Sequence, residues 1–367
     1  MTGGRSNAPY TCLTMRELLL DKHQPHTRQI DAITGLRAAA VLLVFAVHTY
    51  PGLLPGGFIG VDMFFVISGF LITSILLREI DRTGTISLAS FYIRRALRIL
   101  PASLFCTLAV YAAARHLLQI NGESAELNAA ASALSFMNWL RAFTPATGGA
   151  LGHFWSLAIE EQFYAIWSLL VLAMAFCGQK KRIPHAAAAL LVVSIVWRSY
   201  LGLTGVEADR IYNGLDTHAD GLLIGCILAA FASSAAVRFL SRFWWIAVGA
   251  ACVETALFDA DSTMLWLYIP IVSLTAGWIV AAALNPGTPL SKRLAAAPAL
   301  ALGRRSYSFY LWHLPIISAF FASGMSRSVW IIPSFVLCLV AADVSYRLIE
   351  KPFLRFKDWR LGPIQRA

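Results

Sequence analysis

Long apolar segments recur along almost the whole chain and restrict the folds it can adopt. A helix of about 20 apolar residues is long enough to cross a bilayer. Hydrophobic residues make up 58% of the chain and charged residues only 14%, which sets it apart from ordinary soluble domains. We therefore predict an all-α integral membrane protein. The candidate segments lie at about 31–50, 58–78, 98–118, 127–142, 154–177, 185–203, 214–233, 239–258, 263–284, 306–323 and 329–349.

The distribution of Lys and Arg indicates which of these eleven segments does not cross. Segment 127–142 is short and rich in Ala and Ser. If it stays outside, 24 of the 30 Lys and Arg residues fall on the cytosolic side, five on the outer side and Arg37 within the membrane, as the positive-inside rule requires. If all eleven cross, several basic clusters face outward instead. We predict a bundle of about ten transmembrane helices with both termini in the cytosol.

This topology divides the chain into three parts. Residues 1–30 form a cytosolic tail that lacks the pattern of a cleaved signal peptide. Residues 31–350 form the transmembrane domain, in which 119–152 is an outer loop with room for a re-entrant helix. Residues 351–367 form a cytosolic tail. The net charge of +10 does not indicate nucleic-acid binding, because the basic residues cluster at the ends of apolar segments.

The first apolar segment carries two ionisable side chains. Arg37 lies near its middle, where a charge costs at least ~2.5 kcal/mol to insert, so it must pair with or act on a group inside the protein. His48 follows eleven residues later, within about 20° of the same helix face and roughly 16 Å further along the axis. The two residues form one polar stripe. The structural alternative makes Arg37 an ion-pair partner, for example of Asp62, and His48 an interfacial anchor.

A basic cluster occupies the predicted cytosolic end of the third segment. Arg94, Arg95 and Arg98 are spaced so that Arg98 shares a helix face with either of the others. Guanidinium groups in such a position suit a polyphosphate ligand, because they pair well with phosphate oxygens. The alternative is a cluster that only sets topology by contacting lipid headgroups.

Acidic residues collect near the predicted outer ends of other segments, among them Asp62 and Glu160. A histidine side chain titrates near neutral pH and can deprotonate a hydroxyl group when a carboxylate orients its ring. Asp62 and Glu160 are therefore candidates to assist His48, and an interhelical ion pair is the alternative for both. We expect His313 to be an ordinary hydrogen-bonded core histidine. The cysteines show no metal-ligand spacing, so no metal site is predicted.

Six motifs in this order resemble the membrane-bound acyltransferase 3 family, and together they extend from about residue 31 to 354. The motifs are TGLRAAAVLLVFAVHT, GGFIGVDMFFVISGFLIT, FYIRRALRILP, HFWSLAIEEQFY, LGRRSYSFYLWHLPI and YRLIEKPF.

The resemblance implies roles for particular residues. The family's Arg and His of the first span, associated with catalysis, fall on Arg37 and His48, and its R-x-x-R motif, thought to engage acyl-coenzyme A, falls on Arg95 and Arg98. Members usually transfer acetyl groups to sugar hydroxyls of lipopolysaccharide, exopolysaccharide, peptidoglycan or lipo-oligosaccharides in the bacterial plasma membrane. A minority acylate macrolide-type metabolites. Some members carry a C-terminal SGNH-type domain, which we do not expect here.

These observations favour an O-acyltransferase that uses acetyl-CoA or another acyl-CoA from the cytosol. The acceptor is expected to be a glycan or glycolipid on the outer side, and a small metabolite is the alternative. Direct transfer and an acyl-enzyme intermediate both remain open. The main competing class is a transporter or flippase for a glycolipid or the acyl donor, since intramembrane charges also mark transport sites. The two halves of the sequence show no repeat that would favour a transporter.

Overall fold

The structure is a computed structural model that describes residues 15–116, 123–145, 147–260 and 262–361. Their regular secondary structure is entirely helical, which confirms the predicted all-α class. The helices are α1 (Met15–Thr49), α2 (Ile59–Thr83), α3 (Leu88–His116), α4 (Glu123–Ala133), α5 (Met137–Phe143), α6 (Phe154–Phe176), α7 (Ile183–Leu203), α8 (Ala208–Asn213), α9 (Asp220–Phe231), α10 (Ala235–Ser241), α11 (Trp244–Leu257), α12 (Leu265–Leu284), α13 (Pro289–Leu294), α14 (Ala297–Ala322), α15 (Arg327–Ser345) and α16 (Lys351–Leu361).

Several of these helices are long and apolar enough to cross a membrane. Seven within the described residues meet both conditions, or eight if α9 and α10, bent by 119°, form one span. The protein is therefore a multi-pass membrane protein. The predicted span at 239–258 corresponds to α11, whose 14 residues extend only about 21 Å against a hydrocarbon core of about 30 Å. The predicted number of ten spans thus stays a prediction.

The segment predicted as an outer loop contains two short helices, α4 and α5. They have 11 and 7 residues, too few for either to cross a bilayer. The predicted cytosolic tails also contain helix, because α1 begins at Met15 and α16 extends to Leu361. In α1 a single helix therefore carries both Arg37 and His48.

Glycines let the central helices pack backbone to backbone. Helix α2 lies along α9, and α1 lies along α14. A Cβ atom at Gly69 would collide with the carbonyl oxygen of Leu222, and one at Gly225 with that of Val66. At Gly303 of α14 a Cβ would collide with the carbonyl oxygen of Thr34 in α1. Small residues at such crossings allow the close contacts that drive helix association in lipid.

A buried ion pair joins α7 to the start of α9. The Arg198 guanidinium contacts both carboxylate oxygens of Asp220 at 2.6 and 2.9 Å, and both side chains are fully buried. Arg198 also donates to the carbonyl oxygens of Thr217 and Trp266 at 2.7 and 3.0 Å. These four bonds use four of the five N–H donors of the guanidinium and fix the loop before α9.

Candidate functional site

A cavity lies between α1, α2, α3, α6 and α14. Four of the residues predicted from the sequence line it: Arg37, Arg95, Arg98 and Glu160. Three positively charged side chains from two helices thus meet around one space, together with a single carboxyl group among the described lining residues. We call this space the arginine cavity.

The arginines of this cavity form no contact ion pair with any described acidic residue. In the part of the chain that the structure describes, neither Arg37, Arg95 nor Arg98 forms an ion pair. Arg95 lies 5.0 Å from the ring centroid of Tyr164. Glu160 instead accepts hydrogen bonds from Ser68 at 2.7 Å and from the Tyr164 hydroxyl at 3.1 Å. The cavity therefore has the charge and the donors to bind an anion.

The third arginine of the basic cluster points elsewhere. Arg94 does not line the cavity, and its Nε donates to Ser90 Oγ at 3.4 Å. Successive helix residues are separated by about 100°, so Arg94 and Arg95 cannot both face the same narrow space. Of the three arginines, Arg95 and Arg98 line the cavity and Arg94 does not, and the donor-binding role of all three stays a prediction.

His48 lies beside two other histidines rather than beside a carboxylate. The ring centroids of His48 and His313 are 5.0 Å apart, and those of His313 and His153 are also 5.0 Å apart. His48 is half-buried, whereas His153 and His313 are almost completely buried. Burial lowers the pKa of His153, which lies just before α6, to about 3, so its ring is neutral at pH 7. We call His48, His153 and His313 the histidine cluster.

Two residues connect the histidine cluster to the arginine cavity. Tyr310 and Ser156 both line the cavity, and their hydroxyl oxygens are 2.6 Å apart. The Tyr310 ring is 5.2 Å from that of His313 and 5.4 Å from that of His153. The Tyr310 hydroxyl also donates to the backbone oxygen of His153 at 3.0 Å. The cavity and the histidines are therefore adjacent parts of one site.

The prediction that Asp62 orients His48 differs from the structure, which places the Asp62 carboxylate elsewhere. Asp62 is fully buried, accepts a hydrogen bond from Ser273 at 2.6 Å and lies 3.5 Å from His218 Nε2. His48 Nδ1 bonds to the Val44 carbonyl oxygen at 2.7 Å. The alternative pairing of Asp62 with Arg37 is not formed either. Asp62 points from α2 toward α9 and α12, whereas Val61, Phe64 and Phe65 of α2 point into the cavity.

Glu160 does not contact His48 in the described structure either, because its carboxyl oxygens bond to Ser68 and Tyr164. Its position in the arginine cavity nevertheless places it inside the site. The structure therefore places Glu160 at the cavity and apart from His48, and its catalytic role stays a prediction.

A second cavity borders the histidine side of the site. Its lining includes Arg141, Glu207, Asp209 and Tyr212. Arg141 donates to the backbone oxygen of Gly152 at 3.3 Å, directly before His153, and lies 3.7 Å from Asp209. Carboxylate, guanidinium and phenol groups are the side chains that bind polyhydroxylated ligands through hydrogen bonds. We call this space the outer cavity, after the side of the membrane that the sequence analysis predicts for residues 119–152.

Sequence reasoning missed His153 and gave His313 only a structural role. Both histidines lie in motifs that the sequence analysis quoted, HFWSLAIEEQFY and LGRRSYSFYLWHLPI. No helical period links α1, the start of α6 and the middle of α14, so only the packing of the three segments shows the cluster. In the described residues, no group of three or more His, Cys, Asp and Glu could hold a metal ion.

The fold and the site define a multi-pass helical membrane protein with an arginine-lined cavity next to a histidine cluster. The sequence profile described as an acyltransferase domain matches residues 30–347, and the chain belongs to this family, acyltransferase 3. The predicted family is thereby confirmed.

Curated relatives carry the same domain. The O-acetyltransferase OatA of Staphylococcus aureus strain MRSA252 is 33% identical over 366 residues, which cover 93% of this chain and 60% of that protein. OatA of strain NCTC 8325 is 33% identical over 362 residues, covering 92% and 59%. The chain thus spans about three fifths of the length of these relatives. No solved structure matches the chain.

Proposed function

We propose that the protein is a membrane O-acetyltransferase that moves an acetyl group from acetyl-CoA to a sugar hydroxyl of an envelope polysaccharide, lipopolysaccharide or lipo-oligosaccharide. The observation that carries this proposal is the arginine cavity, whose three arginines form no ion pair among the described residues and which adjoins the histidine cluster. The family and the O-acetyltransferase relatives support the reaction type.

The arginine cavity suits the donor. Phosphates of coenzyme A would bind Arg95 and Arg98, since guanidinium forks match phosphate oxygens. Arg37 lines the same cavity from α1, on the helix that carries His48, and would face the thioester end. The excess of Lys and Arg at this end of the bundle supports a cytosolic donor and a location in the bacterial plasma membrane.

The histidine cluster suits the acceptor. His48 Nδ1 lies 2.7 Å from a carbonyl oxygen, which only accepts hydrogen bonds, so Nδ1 carries the proton and Nε2 of the neutral ring holds a lone pair. His48 Nε2 would remove the proton of the acceptor hydroxyl. The outer cavity, which borders the cluster through Arg141 and Gly152, is the route by which a sugar would approach.

In direct transfer, the acceptor oxygen forms the new C–O bond while the thioester C–S bond breaks. The electron pair leaves on sulfur, and the hydroxyl proton passes through the histidine side of the site to the coenzyme A thiolate. An acetyl-enzyme intermediate would instead place the acetyl group on the protein first. Acid quench after a single turnover with radiolabelled acetyl-CoA distinguishes the two, because only the second leaves label on the protein.

Binding of coenzyme A to the purified protein in nanodiscs tests the donor site. Arg95→Ala should weaken binding about tenfold to a hundredfold, the size expected for one lost charge-assisted contact. Arg94→Ala is the matched control, because the neighbouring side chain lies outside the cavity, and its affinity should stay within about twofold. Equal losses in both variants would contradict the donor site.

Loss of His48 tests the catalytic role. His48→Ala should lower acetyl transfer by about 10²–10⁴-fold, the usual contribution of general-base catalysis, while coenzyme A binding persists. Mass spectrometry of envelope glycans from a deletion strain complemented with each variant gives the readout and identifies the acceptor. Wild-type O-acetylation with His48→Ala would overturn the proposal, and coenzyme A uptake without ester formation would favour a transporter.

A further inference from the structure

The three histidines of the cluster make the same kind of hydrogen bond. His48 Nδ1 bonds to the Val44 carbonyl at 2.7 Å, His313 Nδ1 to the Tyr310 carbonyl at 2.5 Å, and His153 Nε2 to the Leu311 carbonyl at 3.0 Å. Because a carbonyl oxygen can only accept, each of these nitrogens carries a proton. The second nitrogen of each neutral ring is therefore a lone-pair acceptor.

Two of these acceptor nitrogens are buried without a partner. His313 Nε2 and His153 Nδ1 have no hydrogen-bond partner among the described residues, and the exposures of the two residues are 0% and 2%. An ordinary core histidine would satisfy both nitrogens, because an unpaired buried polar atom is costly. His313 lies between the other two rings, 5.0 Å from each.

The cluster also lacks the acid that usually supports a catalytic histidine. In the described chain the carboxylate–histidine pair is Asp62 with His218, outside the cluster. A charged group beside the cluster is Arg141, which donates to the backbone oxygen of Gly152, the residue before His153. A guanidinium does not stabilise a protonated histidine. Beside His48, the neutral group with a free lone pair is His313, whose ring is 5.0 Å away and whose Nε2 has no partner among the described residues.

We propose that His313 is a second base of the acyl transfer and receives the proton that His48 takes from the acceptor hydroxyl. His153 completes the cluster as a positioning residue. The inference rests on the proposed function. The acceptor O–H bond breaks as the C–O ester bond forms, and the C–S bond of the thioester breaks with its electron pair on sulfur. The proton moves from oxygen to His48 Nε2, then to His313 Nε2, and finally to the thiolate.

Two substitutions at His313 separate catalysis from structure. His313→Asn retains an N–H donor where Nδ1 bonds to the Tyr310 carbonyl but removes Nε2. If His313 is a base, His313→Asn should lower acetyl transfer at least a hundredfold while coenzyme A affinity stays within twofold. If His313 only holds that carbonyl, His313→Asn should keep transfer near the wild-type rate, which would overturn the inference.

Chemical rescue provides the second readout. His313→Ala removes the whole ring. Imidazole added at tens of millimolar should raise the acetyl-transfer rate of this variant at least tenfold, because a free base can occupy the space. His313→Asn should not be rescued, since its side chain fills that space. His185→Ala, at an exposed histidine outside the site, is the control and should show wild-type rates with and without imidazole. Absence of rescue in folded His313→Ala would count against a base.

The outcomes distinguish this inference from the proposed function. If acetyl transfer is lost in His48→Ala but retained in His313→Asn, only the inference that His313 is a second base is refuted. Acetyl transfer retained in His48→Ala as well, or absent from the wild-type protein with acetyl-CoA, removes the proposed function itself. Thermal unfolding in nanodiscs tests whether each variant is folded before rates are compared. His313→Gln replaces a His313 variant that is not folded.

Discussion

At the scale of single residues, the arginines inside this bundle include two kinds. The Arg198 guanidinium is paired with Asp220 and also donates to two backbone carbonyls. Arg37, Arg95 and Arg98 have no ion-pair partner among the described residues and meet at a cavity. Since an unpaired charge in a low-dielectric region is costly, the first kind indicates a structural role and the second a ligand.

Removing Arg198 should destabilise the protein strongly. In Arg198→Met the buried Asp220 carboxylate loses its cation, and breaking such a pair costs about 3–5 kcal/mol. The double variant Arg198→Met/Asp220→Leu should recover much of the loss, because an apolar pair replaces an ion pair without leaving a charge. Arg115→Met is the control, since its pair with Glu126 is about half-exposed and worth at most ~1 kcal/mol. Thermal unfolding in detergent measures all three.

Asp62 provides the sharpest difference between the sequence prediction and the structure. Because Asp62 contacts Ser273 and His218 rather than His48, Asp62→Asn should lower the unfolding free energy by about 1–3 kcal/mol. Transfer per folded molecule should change less than fivefold. A loss above a hundredfold in folded protein, measured as acetyl-CoA turnover, would restore the carboxylate role predicted from the sequence.

At the scale of helices, α9 packs closely against α2. The Cβ of any larger residue at Gly225 would meet the backbone of Val66 and Phe70, which cannot move aside as a side chain can. Residues of α2 line the arginine cavity, so this crossing also positions the site. Glycine is therefore required here for close approach.

Substitution at Gly225 should separate the two helices. Gly225→Leu should prevent stable folding or lower the unfolding temperature by more than 10 °C. Gly249→Ala in α11 is the matched control, because nothing lies within 4 Å of a Cβ at that position and alanine stabilises a helix by up to about 1 kcal/mol relative to glycine. Fluorescence size-exclusion profiles of the two variants compare them directly. A monodisperse Gly225→Leu protein of wild-type stability would contradict the packing argument.

At the scale of the whole molecule, the charge asymmetry predicts which loops face the cytosol. In a variant without Cys12, Cys177 and Cys252, Glu126→Cys in α4 should react with an impermeant maleimide on intact cells. Lys181→Cys, between α6 and α7, should react only after permeabilisation. Both positions are exposed, so reactivity reports the side of the membrane. Labelling of Lys181→Cys in intact cells would overturn the predicted topology.

Much of the fold follows from the order of apolar residues. Each predicted span lies largely on a helix because hydrophobic length and backbone hydrogen bonding both require helices in lipid. The sequence also identified Arg37, Arg95, Arg98 and Glu160, since a charge within or beside an apolar segment is visible without a structure. It did not show that these four residues share a cavity, which depends on how three helices pack.

The sequence by itself thus determined the helical membrane class, the family and the positions of the costly charges, because each is a property of local composition and order. Only the tertiary structure decided which of these charges meet. It places Arg95 but not Arg94 at the cavity. It also pairs Asp62 with His218 and packs His313 and His153 in one cluster with His48. The physical reason is that partners in a helix bundle are chosen by helix rotation and close packing between distant segments. A linear sequence pattern specifies neither the rotation of a helix nor the packing between distant segments.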